Sequence, residues 1–277
     1  MKRRLKTIAI FPTLFTLGNL VCGFFAIVVA ARVGKPEFLP ESLKDLPAED
    51  IYNLMLAAWL VFLAMVFDAL DGHIARLSGA TTNFGAELDS LCDLVTFGVA
   101  PAFLMVKLCP RFTFLHREAI WVIAAAYVAC AALRLARFNV ETSEEDDHLH
   151  FTGLPSPAAA ASIAGFAIFF YTLYSKEPPL AYAEQIYTFT QSTLPFFGAL
   201  VALLMVSRIP YPHIVNQIFH GQRSFGHLVA ILFALMAIMV IRGYSVPIIC
   251  TVFVLSGPVR FAWAKLVEKR LQEEEVF

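Results

Sequence analysis

Two stretches of this chain place four aspartates inside otherwise apolar sequence. Asp68-Ala-Leu-Asp71-Gly72-His-Ile-Ala75-Arg76 closes one long apolar run, and Gly85-Ala-Glu-Leu-Asp89-Ser-Leu-Cys-Asp93 opens the next. On a helix, Asp68 and Asp71 are three apart and Asp89 and Asp93 four apart, so each pair shares a face. Four like charges at the edge of a bilayer repel unless something positive sits between them. A divalent cation suits that place, because its hard charge prefers oxygen ligands. Ionisable groups inside a membrane segment are in any case candidates for function.

The combined spacing is D-x2-D-G-x2-A-R-x8-G-x3-D-x3-D. Asp68, Asp71 and Asp89 can ligate one Mg²⁺ or Mn²⁺, while Asp93 can complete a second site or remain a base. Gly72 and Ala75 remove bulk from the same helical face, so that a flat ligand or a diphosphate can approach the backbone. Arg76 faces the same cleft one turn after Gly72, and its planar fork suits a phosphate. Gly85 lets the next helix start close by. The plain alternative is a set of interfacial charges reaching for water. That account covers one Asp–Arg pair but not four carboxylates at two helical spacings, when each acidic group at the midplane costs about 2.5–3.5 kcal/mol.

The elements that must hold these groups are membrane helices. The chain has 277 residues, 58% of them hydrophobic, and a mean hydropathy of +0.68. That exceeds the apolar content of an ordinary soluble domain. Eight runs approach the roughly 20 apolar residues that cross a bilayer: about 7–31, 51–74, 86–107, 118–139, 154–175, 190–208, 226–243 and 245–266. The expected fold is an all-α polytopic bundle in a single integral membrane domain over 1–277. Residues 1–208 form its six-helix core, and 209–277 add two helices and a tail. The basic start, Lys2 to Lys6, precedes an apolar run too long for a signal core, so it reads as a retained first span.

Lys and Arg assign the sides. With both termini cytoplasmic, the inner face holds the basic start, Arg76, Arg134, Arg137, Arg208, Arg223 and the cluster Arg260, Lys265, Lys269 and Arg270. The four aspartates then lie at the inner ends of spans two and three. A net charge of −1 gives no bias toward nucleic acid, and none is expected as a partner. Five scattered cysteines without a CxxC fit small apolar packing rather than disulfides or zinc.

The pattern from Asp68 to Asp93 resembles the signature of the CDP-alcohol phosphotransferases, integral membrane enzymes that transfer a group from a CDP-activated lipid or alcohol to a hydroxyl and release CMP. The resemblance implies a six-helix core with two Mg²⁺ or Mn²⁺ ions at the cytoplasmic surface of the cell membrane, and a tendency to form homodimers. It also implies Asp68, Asp71 and Asp89 as metal ligands, Asp93 as both ligand and catalytic base, and Gly72, Arg76 and Thr82 around the CMP part of the donor. Phe11 to Gly23, Asp93 to Ala102, Ala132 to Asn139 and Gly153 to Ala158 narrow the likeness to the bacterial and archaeal phosphatidylserine synthases. The donor would be CDP-diacylglycerol and the acceptor L-serine. An asparagine commonly follows the first-span proline in the wider family. Here Thr13 stands there, so Thr16 and Asn19 are the polar groups left to meet the donor.

A serine pocket needs a cation for the carboxylate. Arg134 and Arg137 lie three apart on one helical face, with Asn139 close behind. The same arginines also serve as positive-inside markers or lipid headgroup partners. Pro157 reads as a helix start, and Ser156 is left open. His73 and Glu87 fall off the ligand face, and His148 and His150 sit in an acidic loop. Two rivals remain. One is the same chemistry with glycerol 3-phosphate, inositol phosphate or choline as acceptor. The other is a cation-coupled transporter, which explains buried carboxylates but not Gly72, Ala75 and Arg76.

Overall fold

The computed structural model describes residues 10–34, 47–78, 82–110, 112, 118–143, 153–176, 182–211 and 242–274. These fold into α1 (Ile10–Ala31), α2 (Ala48–Ser78), α3 (Asn83–Asp93), a π-helical segment (Leu94–Val99), α4 (Ala100–Leu108), α5 (Ala119–Ser143), α6 (Ser156–Ser175), α7 (Ala183–Val206) and α8 (Ser245–Glu274). Among the described residues, seven stretches are long and apolar enough to span a bilayer, with α3, the π segment and α4 together forming one of them, Phe84–Leu108. The chain is an all-α polytopic membrane protein. Of the eight expected spans, the one at 226–243 lies almost wholly outside the described residues. The sixth starts at Ala183 rather than near 190. Its first turns carry Glu184, Gln185 and Thr188, which hid the helix from a reading based on hydropathy.

Membrane helices meet without a hydrophobic drive between them, so close packing at small residues matters. α1 lies along α2, α2 also touches α6, and α5 packs on α7. The centre is small-residue rich: Ala57, Ala58, Ala64, Ala131, Ala159, Ala160, Ala164 and Ala167 are all buried. The outward faces of α1, α5 and α8 present Phe24, Trp121, Val122, Trp263 and other large apolar groups. A helix apolar all round belongs in lipid.

The third span is not a plain helix. Its π segment follows directly after Asp93, and such wide turns disturb the regular backbone ladder. Inside a bilayer any freed carbonyl must find a donor. Here the buried Tyr127 hydroxyl donates to Phe97 O at 3.2 Å, and Thr96 Oγ1 donates across to Asn19 O on α1 at 3.2 Å. Gly23 makes this contact possible. A Cβ there would sit 2.3 Å from Thr96 Oγ1 and 2.8 Å from its backbone Cα. Replacing Gly23 by Ala is therefore expected to push α1 off the π segment and cost about 1–3 kcal/mol. A lowered thermal midpoint in detergent, compared with the same change at Gly34, where the space is open, checks this.

Candidate active site

The site is assembled at one end of the bundle. α2 brings Asp68 and Asp71 near its C-terminus, and α3 brings Asp89 and Asp93. Thr82 caps α3: its backbone is extended, and its side chain accepts a bond from Gly85 N at 3.0 Å. This satisfies one of the four free donors at the helix start and fixes where α3 departs.

Three carboxylates converge. One oxygen from each of Asp68, Asp71 and Asp89 lies within 4.8 Å of the others. Asp71 is buried, and Asp68 and Asp89 are half-buried. At an effective dielectric of about 20, two unit charges at that separation repel by about 3.5 kcal/mol. Three such pairs approach the whole stability of a typical domain, about 5–15 kcal/mol. A hydrogen bond to a charged group returns only about 1.5–3 kcal/mol, so neighbouring polar groups cannot offset the repulsion alone. Two oxygens, Asp71 Oδ2 and Asp89 Oδ1, are buried with no hydrogen-bond partner. Clustered carboxylates with unpaired oxygens fit a hard divalent cation, which accepts several such ligands.

Asp93 is not one of the trio, yet it lies close enough to feel the charges of all three. It is buried, and its Oδ1 accepts a 2.9 Å bond from Asn19 Nδ2 on α1. The amide orientation follows from chemistry, since its oxygen turned to the carboxylate would set acceptor against acceptor. Thr16, one turn earlier on α1, hydrogen-bonds the Asp71 side chain. The sequence suggested Thr16 and Asn19 as donor contacts. The structure turns both toward the carboxylates, with Asn19 fully buried behind Asp93.

The remaining expected residues are placed as follows. A side chain at Gly72 would meet nothing within 4 Å, so the face beside it is open. Ala75 and Arg76 continue α2, and their side chains lie outside the described residues. Arg134 reaches the carboxylates from α5: it is close enough to Asp93 and Asp68 to feel both charges. Arg137 is one turn on and half-buried. Asn139 Oδ1 accepts from Ser90 Oγ at 3.1 Å, tying α5 to α3 beside Asp89. Ser90 was missed by the sequence reading, and its only signal was its place next to Asp89. His73 and Glu87 are exposed, and His148 and His150 lie outside the described residues.

The profile of the family described as CDP-alcohol phosphatidyltransferase matches residues 9–196, and this chain belongs to that family. Among curated relatives, the CDP-diacylglycerol–serine O-phosphatidyltransferase of Helicobacter pylori is 31% identical over 204 residues, covering 74% of this chain and 72% of its own length. The protein of the same name from Methanocaldococcus jannaschii is 35% identical over 160 residues, 58% of this chain and 65% of that one. An archaetidylserine synthase from Methanothermobacter thermautotrophicus is 34% identical over 187 residues, 64% and 70% of the two chains.

If the trio takes a cation, titration with Mn²⁺ in the absence of substrates should show saturable binding and raise the thermal midpoint in detergent, as expected for a ligand that binds only the folded state. Asp71→Ala should weaken that binding at least about tenfold, given the loss of one of three charged ligands. An undiminished Mn²⁺ isotherm in that variant would remove Asp71 from the ligand set.

Proposed function

We propose that this enzyme transfers the phosphatidyl group of CDP-diacylglycerol to the hydroxyl of L-serine, giving phosphatidylserine and CMP. The observation that carries the reading is the meeting of Asp68, Asp71 and Asp89 from two helices, with unpaired oxygens, inside a chain of this family. The choice of serine is supported by the names of relatives from bacteria and archaea. A transporter has no comparable support.

The assignment of roles is as follows. Asp68, Asp71, Asp89 and Asp93 would hold two divalent cations, Mg²⁺ or Mn²⁺. Bound there, the metal supplies Lewis-acid stabilisation to a diphosphate. The acyl chains of the donor stay in lipid while its headgroup enters along the open face at Gly72, and Ala75 on the same helix belongs to the donor site. Arg76 pairs with a phosphate oxygen, and Thr82 lies at the nucleotide side. Arg134, Arg137 and Asn139 receive the serine carboxylate and orient its hydroxyl. Asp93 takes the hydroxyl proton as general base. The serine oxygen bonds to the phosphorus next to the lipid, the bond from that phosphorus to the CMP oxygen breaks, and CMP leaves with the charge. Holding both reactants in line turns an encounter in solution into a step within one complex. Asn19 and Thr16 act behind the site by fixing Asp93 and Asp71.

We place the site on the cytoplasmic side of the cell membrane, because Arg76, Arg134, Arg208 and the α8 basic cluster fall at the same ends of their spans as the aspartates. We take residues 1–208 as the catalytic core and 209–277 as an addition. The family match ending at 196, within α7, supports that division. Homodimer formation is an expectation carried by the family.

Purified protein with CDP-diacylglycerol, Mn²⁺ and each candidate alcohol in turn should release CMP with serine and not with glycerol 3-phosphate, inositol phosphate or choline. Chelation of the metal should stop turnover. Asp93→Asn should reduce kcat by about 10²-fold or more while the donor still binds. Full activity in Asp93→Asn would contradict the base assignment.

A further inference from the structure

Arg134 is held in an unusual way for an arginine beside two carboxylates. It feels both Asp93 and Asp68. Yet its hydrogen bond runs away from them: NH1 donates to Ser156 Oγ on α6 at 2.8 Å. Its Nε is buried and unpaired among the described residues. Left free, a guanidinium would close a bidentate fork on a carboxylate, the strongest pairing available to it. The Ser156 hydroxyl instead holds one of the guanidinium's three nitrogens. Ser156 is 1% exposed and is the first residue of α6.

Ser156 is itself firmly placed. Gly153 takes φ +91°, which a side chain rarely adopts, and its N donates to Ile209 O at 2.9 Å. Leu154 N donates to Leu204 O at 3.0 Å. These two bonds dock the approach to α6 on the C-terminal end of α7. Pro155 and Pro157 on either side of Ser156 restrict the backbone further. The serine hydroxyl is thus a rigid anchor supplied by a different part of the bundle from the carboxylates.

We propose that Ser156 is a positioning residue that tethers Arg134 beside the carboxylates without letting it pair with them. The tether keeps Asp68 and Asp93 available to a divalent cation and keeps the guanidinium in place for an anionic acceptor group. The second half rests on the acceptor role proposed for Arg134 above; the first half does not.

The test is a double-mutant cycle of Ser156→Ala and Arg134→Ala, read in two ways on the full chain in detergent. Mn²⁺ binding without substrates reports the tether alone. Ser156→Ala should weaken it several-fold, because the released guanidinium competes for Asp68 and Asp93. In the Arg134→Ala background the same change should have no effect, since residues acting through one contact are not additive. Serine kinetics report the acceptor role. Ser156→Ala should raise the serine KM roughly tenfold, the scale of a lost charged hydrogen bond, with the CDP-diacylglycerol KM unmoved. Unchanged Mn²⁺ affinity in Ser156→Ala, or an equal loss with and without Arg134, overturns the tether. A serine KM untouched by Arg134→Ala overturns the acceptor role instead, and Mn²⁺ coupling between the two residues would survive that result. Monodisperse elution of Ser156→Ala guards against a folding defect, and retention of the Mn²⁺ loss in such a sample supports the tether.

Discussion

Mutual repulsion among carboxylates in a membrane is the constraint on which the rest depends. Asp68, Asp71 and Asp89 bring their oxygens within 4.8 Å of one another, where water cannot screen them as it does at a surface. No fold would hold them there for stability. The bundle must force them together, and a positive charge must repay the repulsion. Each neighbouring feature serves one of these needs. Thr82 fixes the start of α3. α1 lies against both carboxylate-bearing helices and donates from Thr16 and Asn19. Arg134 adds a fixed positive charge at the side.

The π segment shows how local irregularity serves the site. It starts one residue after Asp93 and is held by Thr96 to α1 and by Tyr127 to α5. Asn19 is thereby bonded twice, through its carbonyl to Thr96 and through its amide to Asp93. The general base proposed here is supported from behind by a buried amide, on a backbone that cannot slide along α1 because Gly23 and Thr96 are in contact. Side chains fixed in this way cost no reorganisation when a substrate arrives.

The two sides of the carboxylate cluster differ chemically. A side chain at Gly72 would meet nothing within 4 Å, an open face of the kind the proposed diacyl donor requires. The side of the cluster at Arg134, Ser156 and Asn139 is built from α5 and α6, which one polar bond joins to each other, and a second ties α5 to α3. A water-soluble acceptor suits that second side. Membership of the CDP-alcohol phosphatidyltransferase family and this division of the site point to the same kind of reaction.

The amino-acid sequence by itself determined the helical class, most of the spans and the identity of the carboxylates. Membrane length and hydropathy are local quantities, and helical spacing makes Asp68 and Asp71, or Asp89 and Asp93, neighbours before any tertiary contact forms. It read the start of α7 poorly, because polar residues open that helix. It gave no sign of the π turn after Asp93, since Leu94 to Val99 is as apolar as an ordinary helix. Which groups touch the carboxylates was decided only by the tertiary structure. Asn19 is separated from Asp93 by 74 residues, and Ser156 from Arg134 by 22. No spacing rule joins such pairs. They meet because helices packed through glycine and alanine come close enough for short polar side chains to bridge them.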